Sequence, residues 1–187
     1  NKKFMFVRFG NVLGSRGSIL PLFMEQIKNG GPVTVTSDDM ERFFMTIPEA
    51  CSLVLQTGGV GNNKESYLLD MGEPIKIIDL AEQIIKFSGL KPYKDIDIKI
   101  IGKRKGERST EPLWLKEEQP EKTNFPKILR LKNIYFSKER LDSLLNELKP
   151  ICFYENNQLN QDIYRNKDIL INILCNNFPS LKGFYSK

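Results

Sequence analysis

Amides and guanidinium groups set beside glycines are the chemistry that this sequence offers most clearly. In VRFGNVLGSRGSILPLF, residues 7–23, Gly10, Gly14 and Gly17, two arginines and Asn11 lie between two apolar runs. An asparagine side chain both donates and accepts hydrogen bonds, and a guanidinium presents a planar fork of donors that suits phosphate or carboxylate oxygens. Such groups bind and orient a ligand; they do not exchange protons near neutral pH. Asn11 can equally bond its own backbone in a turn. Arg42 follows two aspartates and precedes Phe43 and Phe44. Beside that apolar bulk its charge needs a partner, which a diphosphate supplies, as do Asp38 or Asp39. Arg104, in GKRKGE, stands either in a ligand-facing loop or in a solvated basic one. Histidine is absent, which excludes imidazole base catalysis, a Ser-His-Asp triad and most zinc sites within this chain, and no metal ligands are assigned.

The elements that would position these groups are legible in outline. Lys3 to Phe9 reads as a buried strand closed by Gly10, and residues 10–17 read as a loop. Ser18 can cap a helix over residues 19–29 with Leu20, Phe23, Met24 and Ile27 on one face, stopped by Gly30-Gly31-Pro32. Val33 to Thr36 is a β-branched strand. A second helix starts at Ile47-Pro48-Glu49 and is predicted to stop at Gly58-Gly59. Strands follow at SYLLDM and at Ile75 to Ile77, then a helix over residues 79–87 with Leu80, Ile84 and Phe87 on one face. DIDIKIIG alternates like a half-buried strand. The polar stretch after Gly102, with three prolines, reads as a long ordered loop, and a helix capped by Ser137 leads into a helical tail from Pro150 onward, with an apolar helix near residues 168–176. Met40 and Met45 read as core residues, and Trp114 as a cover over a surface patch.

With 187 residues, 40% hydrophobic and 27% charged, the chain has the material for one sizeable core plus an appendage. Its net charge of +5 is spread along the chain, and without zinc-finger, aromatic-strand or basic-heptad patterns no nucleic-acid partner is expected. Cys51, Cys152 and Cys175 form no Cys-x-x-Cys pair, which suits a reducing compartment, so the expected location is cytoplasmic. No apolar run approaches the roughly 18 residues of a membrane span, so none is expected in this chain.

The block VRFGNVLGSRGSILPLFMEQIKNGGPVTVTSDDMERFFMTIPEA resembles the C-terminal part of extended short-chain dehydrogenase/reductases of the polysaccharide-biosynthesis type, the UDP-N-acetylglucosamine 4,6-dehydratases and related nucleotide-sugar epimerases. YLLDMGEPIKIIDLAEQII and GKRKGE follow in the family's order, so the resemblance covers residues 3–110. It implies an α/β fold: late strands of a Rossmann-like fold plus a substrate-binding subdomain over residues 1–149, and a helical tail over residues 150–187. It also implies NAD or NADP as cofactor of the intact enzyme, a UDP-sugar substrate and a homo-oligomer. Carried over position by position, Phe9 and Gly10 lie beside the nicotinamide, Asn11 bonds the sugar nucleotide, and Arg42 and Arg104 grip its diphosphate. The backbone of Val33, Thr34 and Val35 pairs with the uracil edge, with Leu20 and Pro21 near the same base. Lys105 stands where the family loop carries proline, and ERSTEPLW departs from the family pattern. No Gly-x-Gly-x-x-Gly follows a strand, and no tyrosine has a lysine four residues on, so no catalytic residue is assigned and the chain is read as the UDP-sugar-binding later half of a 4,6-dehydratase. In that reaction C4 of the sugar is transiently oxidised, water leaves across C5 and C6, and hydride returns at C6. An epimerase of the same family would use the same binding loops. A module without catalysis, contacting a partner through its basic surface and tail, is the alternative of another class.

Overall fold

Apolar residues in the first 134 positions segregate into two clusters, and the secondary structure forms so as to bury them. The structure, a computed structural model, describes residues 2–115, 118–132, 137–153 and 162–182, which fall into two units, residues 1–134 and 135–187. In chain order the first unit runs β1 (Phe6–Arg8), β2 (Asn11–Leu13), α1 (Ile19–Lys28), β3 (Val33–Val35), β4 (Glu41–Arg42), β5 (Phe44–Thr46), α2 (Ile47–Val60), β6 (Ser66–Leu69), β7 (Ile75–Lys76), α3 (Ile77–Phe87), β8 (Ile98–Ile100), β9 (Pro120–Lys122) and β10 (Ile128–Leu131).

One cluster gathers Phe23 and Ile27 of α1, Val33 and Val35 of β3, Ala81, Ile84 and Ile85 of α3, and Ile96 and Ile98 at β8. Each large side chain withdrawn from water here contributes about 1.5–3 kcal/mol. β3 and β8 pair in parallel, Val33 opposite Ile98, and the two helices cover them. The other cluster joins Met45, Ala50 and Leu53 to Tyr67, Leu69, Met71 and Ile128. It underlies a four-stranded sheet of order β1-β6-β10-β9, in which β1 and β6 are parallel and β10 is antiparallel to both β6 and β9. Short pairs tie the clusters together: β2 lies parallel to β5 with Asn11 opposite Phe44, and β4 is antiparallel to β7 with Arg42 opposite Ile75. The expected α/β class is what forms, with parallel strands and covering helices.

Several elements differ from expectation for identifiable reasons. Residues 11–13, read as loop, form β2, because their partner lies more than thirty positions away and leaves no local signal. The second helix passes through Gly58 and Gly59 and ends at Gly61. A Cβ at Gly61 would lie 2.7 Å from both Met5 Sδ and the Thr57 carbonyl, whereas nothing crowds Gly58 or Gly59. Helix α3 starts at Ile77 and buries Ile77, Ala81, Ile84 and Ile85, leaving Phe87 88% exposed. In α1, Phe23 and Ile27 are buried while Met24 faces water. The supposed long loop after Gly102 contains β9 and β10, which complete the main sheet.

The second unit consists of α4 (Lys138–Cys152), α5 (Lys167–Asn177) and a short 3-10 turn, Pro179–Leu181. Ser137 accepts from the Arg140 N–H and Asn166 from those of Asp168 and Ile169, so both helices have side-chain caps. Leu144 and Ile151 are buried, and Arg140 donates to the Asn177 carbonyl at 2.9 Å. The boundary expected at residues 149 and 150 falls inside α4, which continues through Pro150. Among the described residues no helix is long and apolar enough to cross a membrane.

Candidate functional site

Where β2 leaves the sheet and α1 begins, the chain makes a tight turn that opens a cleft. Gly14 and Gly17 both sit at φ +76°, a conformation open to glycine, and the Ser15 hydroxyl donates to the Val12 carbonyl at 2.8 Å. Between those glycines Arg16 is carried to the rim. The cleft, about 370 Å³, is lined by Asn11, Arg16 and Ser18 on this side and by Thr36, Met40, Arg42, Ile77 and Glu107 on the other. A smaller hollow of about 110 Å³ adjoins, lined by Phe9, Gly10, Asn11, Arg42, Phe43 and Glu111 among others. Asn11 and Arg42 are common to both, so the structure brings together the two side chains that the sequence singled out.

Gly10 has no room for a side chain, since a Cβ would lie 3.0 Å from Met71 Sδ and 3.1 Å from Phe43 Cβ. Its N–H points at Met71 Sδ, and the next N–H, of Asn11, donates to the Phe43 carbonyl at 3.0 Å. These contacts fix the backbone between the two hollows and hold the Asn11 position in register with β5.

Arg42 pairs with neither Asp38 nor Asp39. Its Nη1 donates to the Glu41 and Ser109 carbonyls at 2.7 and 2.8 Å, and its Nη2 donates to the Arg108 carbonyl at 3.0 Å and faces Glu111 Oε1 at 3.2 Å. Two of these hydrogen bonds and the ion pair tie β4 to the segment 108–111, while the bond to Glu41 stays within β4. Asp39 instead accepts from Lys103 Nζ at 2.8 Å, from the Ser109 hydroxyl at 2.8 Å and from Ser37. Hydrogen bonds from Lys103, then Ser37, then Ser109 hold its carboxyl well below the usual carboxylate range. Arg104 lies on the exposed loop outside the residues lining either hollow; its N–H donates to Glu107 Oε2 at 2.9 Å, and it is Glu107 that reaches the cleft.

Val33 and Val35 are buried, so only their backbone remains for recognition, and β8 takes one edge of that strand. On the other edge the Gln26 carboxamide accepts from the Thr34 N–H at 3.0 Å and donates to Thr34 Oγ1 at 2.7 Å. Leu20 packs partly against the first core cluster and Pro21 is exposed; neither lines the cleft. Met40 and Met45 are buried in the core, and Trp114 is 40% exposed. Arg16, Thr36, Glu107 and Gln26 were not singled out from sequence, and Ser18, expected to cap the first helix, makes no side-chain cap bond. The one signal for Arg16 was its position between two glycines at a strand-to-helix turn.

A separate polar hollow of about 270 Å³ lies by Glu65, Tyr67 and Arg130. Its groups satisfy one another, as Glu65 accepts from the Tyr67 hydroxyl, from Asn62 and from Arg130. The Tyr67 bond, more than the others, lowers the Glu65 pKa, and burial followed by that same bond raises the pKa of Tyr67.

Residues 1–133 match the family model described as "Polysaccharide biosynthesis protein". The capsular polysaccharide biosynthesis protein CapD of Staphylococcus aureus is 50% identical over 78% of this chain and 24% of its own length. A UDP-glucose 4-epimerase of Rickettsia rickettsii is 35% identical over 59% of this chain and 31% of its own. Among solved structures, Pen from Bacillus thuringiensis superposes with a TM-score of 0.60 at 32% identity, covering 77% of this chain and 48% of that one. The chain thus spans about a quarter to a third of the length of these two curated relatives.

Proposed function

As this chain belongs to the polysaccharide biosynthesis protein family, we propose that its first unit is the nucleotide-sugar-binding portion of a UDP-sugar 4,6-dehydratase, with the larger cleft as the seat of the diphosphate and sugar. The observation that carries this is the shared position of Asn11 and Arg42 on both hollows. Asn11 would bond the sugar nucleotide, and Arg42, whose Nε–H makes no contact among the described residues, would turn that donor and the charge of its fork toward the diphosphate. The backbone of Val33, Thr34 and Val35, on the β3 edge where Gln26 bonds Thr34, is the seat proposed for a pyrimidine base, with Leu20 and Pro21 near it. Arg104 would join the diphosphate only if its loop turned inward.

NAD or NADP is the cofactor proposed for the intact enzyme, and when bound it supplies a reversible hydride acceptor. Phe9 and Gly10 line the smaller hollow, and the close packing of Gly10 on Met71 and Phe43 fixes where its backbone sits beside it. What this chain's own residues do is bind and orient: Asn11 spans the two hollows, and the Arg42 bonds keep the cleft wall in place. Assembly into a homo-oligomer, a cytoplasmic location and a division of roles between residues 1–149 and 150–187 are part of the same proposal. The similarity to a UDP-glucose 4-epimerase favours one second reading, an epimerase using the same cleft.

Calorimetric titration with UDP-N-acetylglucosamine, beside a single-stranded oligonucleotide, tests the proposal. Saturable heat with the nucleotide sugar is expected. Heat from the oligonucleotide alone would replace it with a nucleic-acid-binding module.

A further inference from the structure

The second unit lies beyond the residues that the family model matches, and it is short of core. Among its described residues only Leu144 and Ile151, both on α4, are buried, and α5, apolar over most of Ile169–Cys175, buries none of its side chains fully. Its cysteines, Cys152 and Cys175, are free, so no disulfide makes up the difference, and among the described residues no cluster could hold a metal. Small units of this kind otherwise gain their cover from an associated chain.

Helix α4 shows where that cover is missing. Leu144 and Ile151 form a row that is buried as the helix packs on α5. A second row, Leu141, Leu145, Leu148 and Cys152, follows the 4-3-4 spacing that lines up one helix face and carries no charge. Leu141 is 44% and Leu145 53% exposed, Leu148 is partly buried and Cys152 is exposed.

We propose that this row is a contact between two copies of the chain, α4 lying antiparallel against α4. The row is complementary to itself in that order: Leu145 meets Leu148 of the second copy, and Leu141 meets the smaller Cys152. Asp142 and Lys149 flank the row on one side, so antiparallel order brings each aspartate beside the other copy's lysine, whereas parallel order sets like charge against like. The apolar surface along the row and at Phe153, which follows it at 66% exposure, is of the order of 400 Å² per copy, the size at which a patch marks an interaction site. With the flanking side chains two copies would bury about 1,200 Å², the lower end of a specific interface, so the pairing is reversible and of micromolar strength. This gives a surface to the homo-oligomer proposed above and does not depend on the cleft, so its failure leaves the nucleotide-sugar reading untouched.

Sedimentation velocity of the whole chain, from low to high micromolar concentration, is expected to show a monomer–dimer equilibrium. Leu145→Gln, at a position already half in water, should weaken the dimer about tenfold or more and leave the thermal midpoint of the dilute chain unchanged. Asp142→Lys should weaken it as well, and combining that change with Lys149→Asp should restore it. Under oxidation, Leu141→Cys should cross-link to Cys152 of the second copy, a bond that one copy cannot make within itself because the two positions lie roughly 16 Å apart along the helix. A parent that stays monomeric throughout, or a Leu145→Gln chain that dimerises within about twofold of it, would overturn the proposal. So would a dimer whose cross-link joins Cys152 to Cys152, which antiparallel order keeps apart.

Discussion

Replacing Arg42 by methionine should loosen the wall of the larger cleft and lower the stability of the first unit measurably. The side chain is 11% exposed and bonds the Glu41 and Ser109 carbonyls in a part-buried setting, with Arg108 and Glu111 more exposed. Methionine fills similar space but offers no donor, so two part-buried carbonyls are left without their partner. Taking about 1 kcal/mol for each part-buried bond and less for the exposed pair gives a loss of about 2–3 kcal/mol. For a unit of this size that corresponds to a fall of about 6–12 °C in thermal midpoint. Glu111→Gln severs only the exposed ion pair and should cost under about 1 kcal/mol. Thermal unfolding by circular dichroism, with amide exchange of residues 108–110 as the local readout, separates the two. Should Arg42→Met melt within about 1 °C of the parent, with those amides equally protected, the three contacts to residues 108–111 would not be holding β4 to that segment, and the cleft wall would need another explanation.

Gly10→Ala places a methyl 3.0 Å from Met71 Sδ and 3.1 Å from Phe43 Cβ, so urea unfolding should shift by about 1–3 kcal/mol; an unchanged midpoint would mean that the packing there gives way freely. Gln26→Leu removes both bonds to Thr34, and the Thr34 amide should exchange tenfold faster or more, while equal exchange would show that Gln26 does not guard that edge. The Asp39 carboxyl, depressed chiefly by Lys103, stabilises the native loop above the unfolded value of about 4 and loses that contribution only as pH falls through its lower native value. A carbon-detected titration should therefore find its midpoint well below the ordinary carboxylate range, and Lys103→Met should raise that midpoint; an ordinary midpoint in the parent would contradict the contact.

Sequence periodicity located helices and strands whose faces are buried, because burial repeats at 3.6 or 2 residues whatever the partner. The β-branched run at Val33 to Val35 and the alternating isoleucines Ile96 and Ile98 were legible for that reason, although the pairing between them was not. Strands of three residues such as β2, whose existence depends on a distant partner, carry no such period. The helix stop at Gly61 was invisible because what forbids a side chain there includes Met5, more than fifty residues earlier, just ahead of the strand β1 that pairs with β6. In the candidate site, the pairing of Asn11 with Arg42 across one cleft was legible through the resemblance. The state of each arginine was not: occupation of Arg42 by Ser109, Arg108 and Glu111 depends on a fold-back of more than sixty residues. Arg16 was passed over because it lies outside any apolar period.

Co-crystallisation of the chain with UDP asks whether Asn11 and Arg42 face one ligand. The expected density places the diphosphate between Asn11 and Arg42, with the base along the β3 edge that Gln26 covers. Density confined to the hollow at Glu65, Tyr67 and Arg130, with the larger cleft holding only solvent, would contradict it.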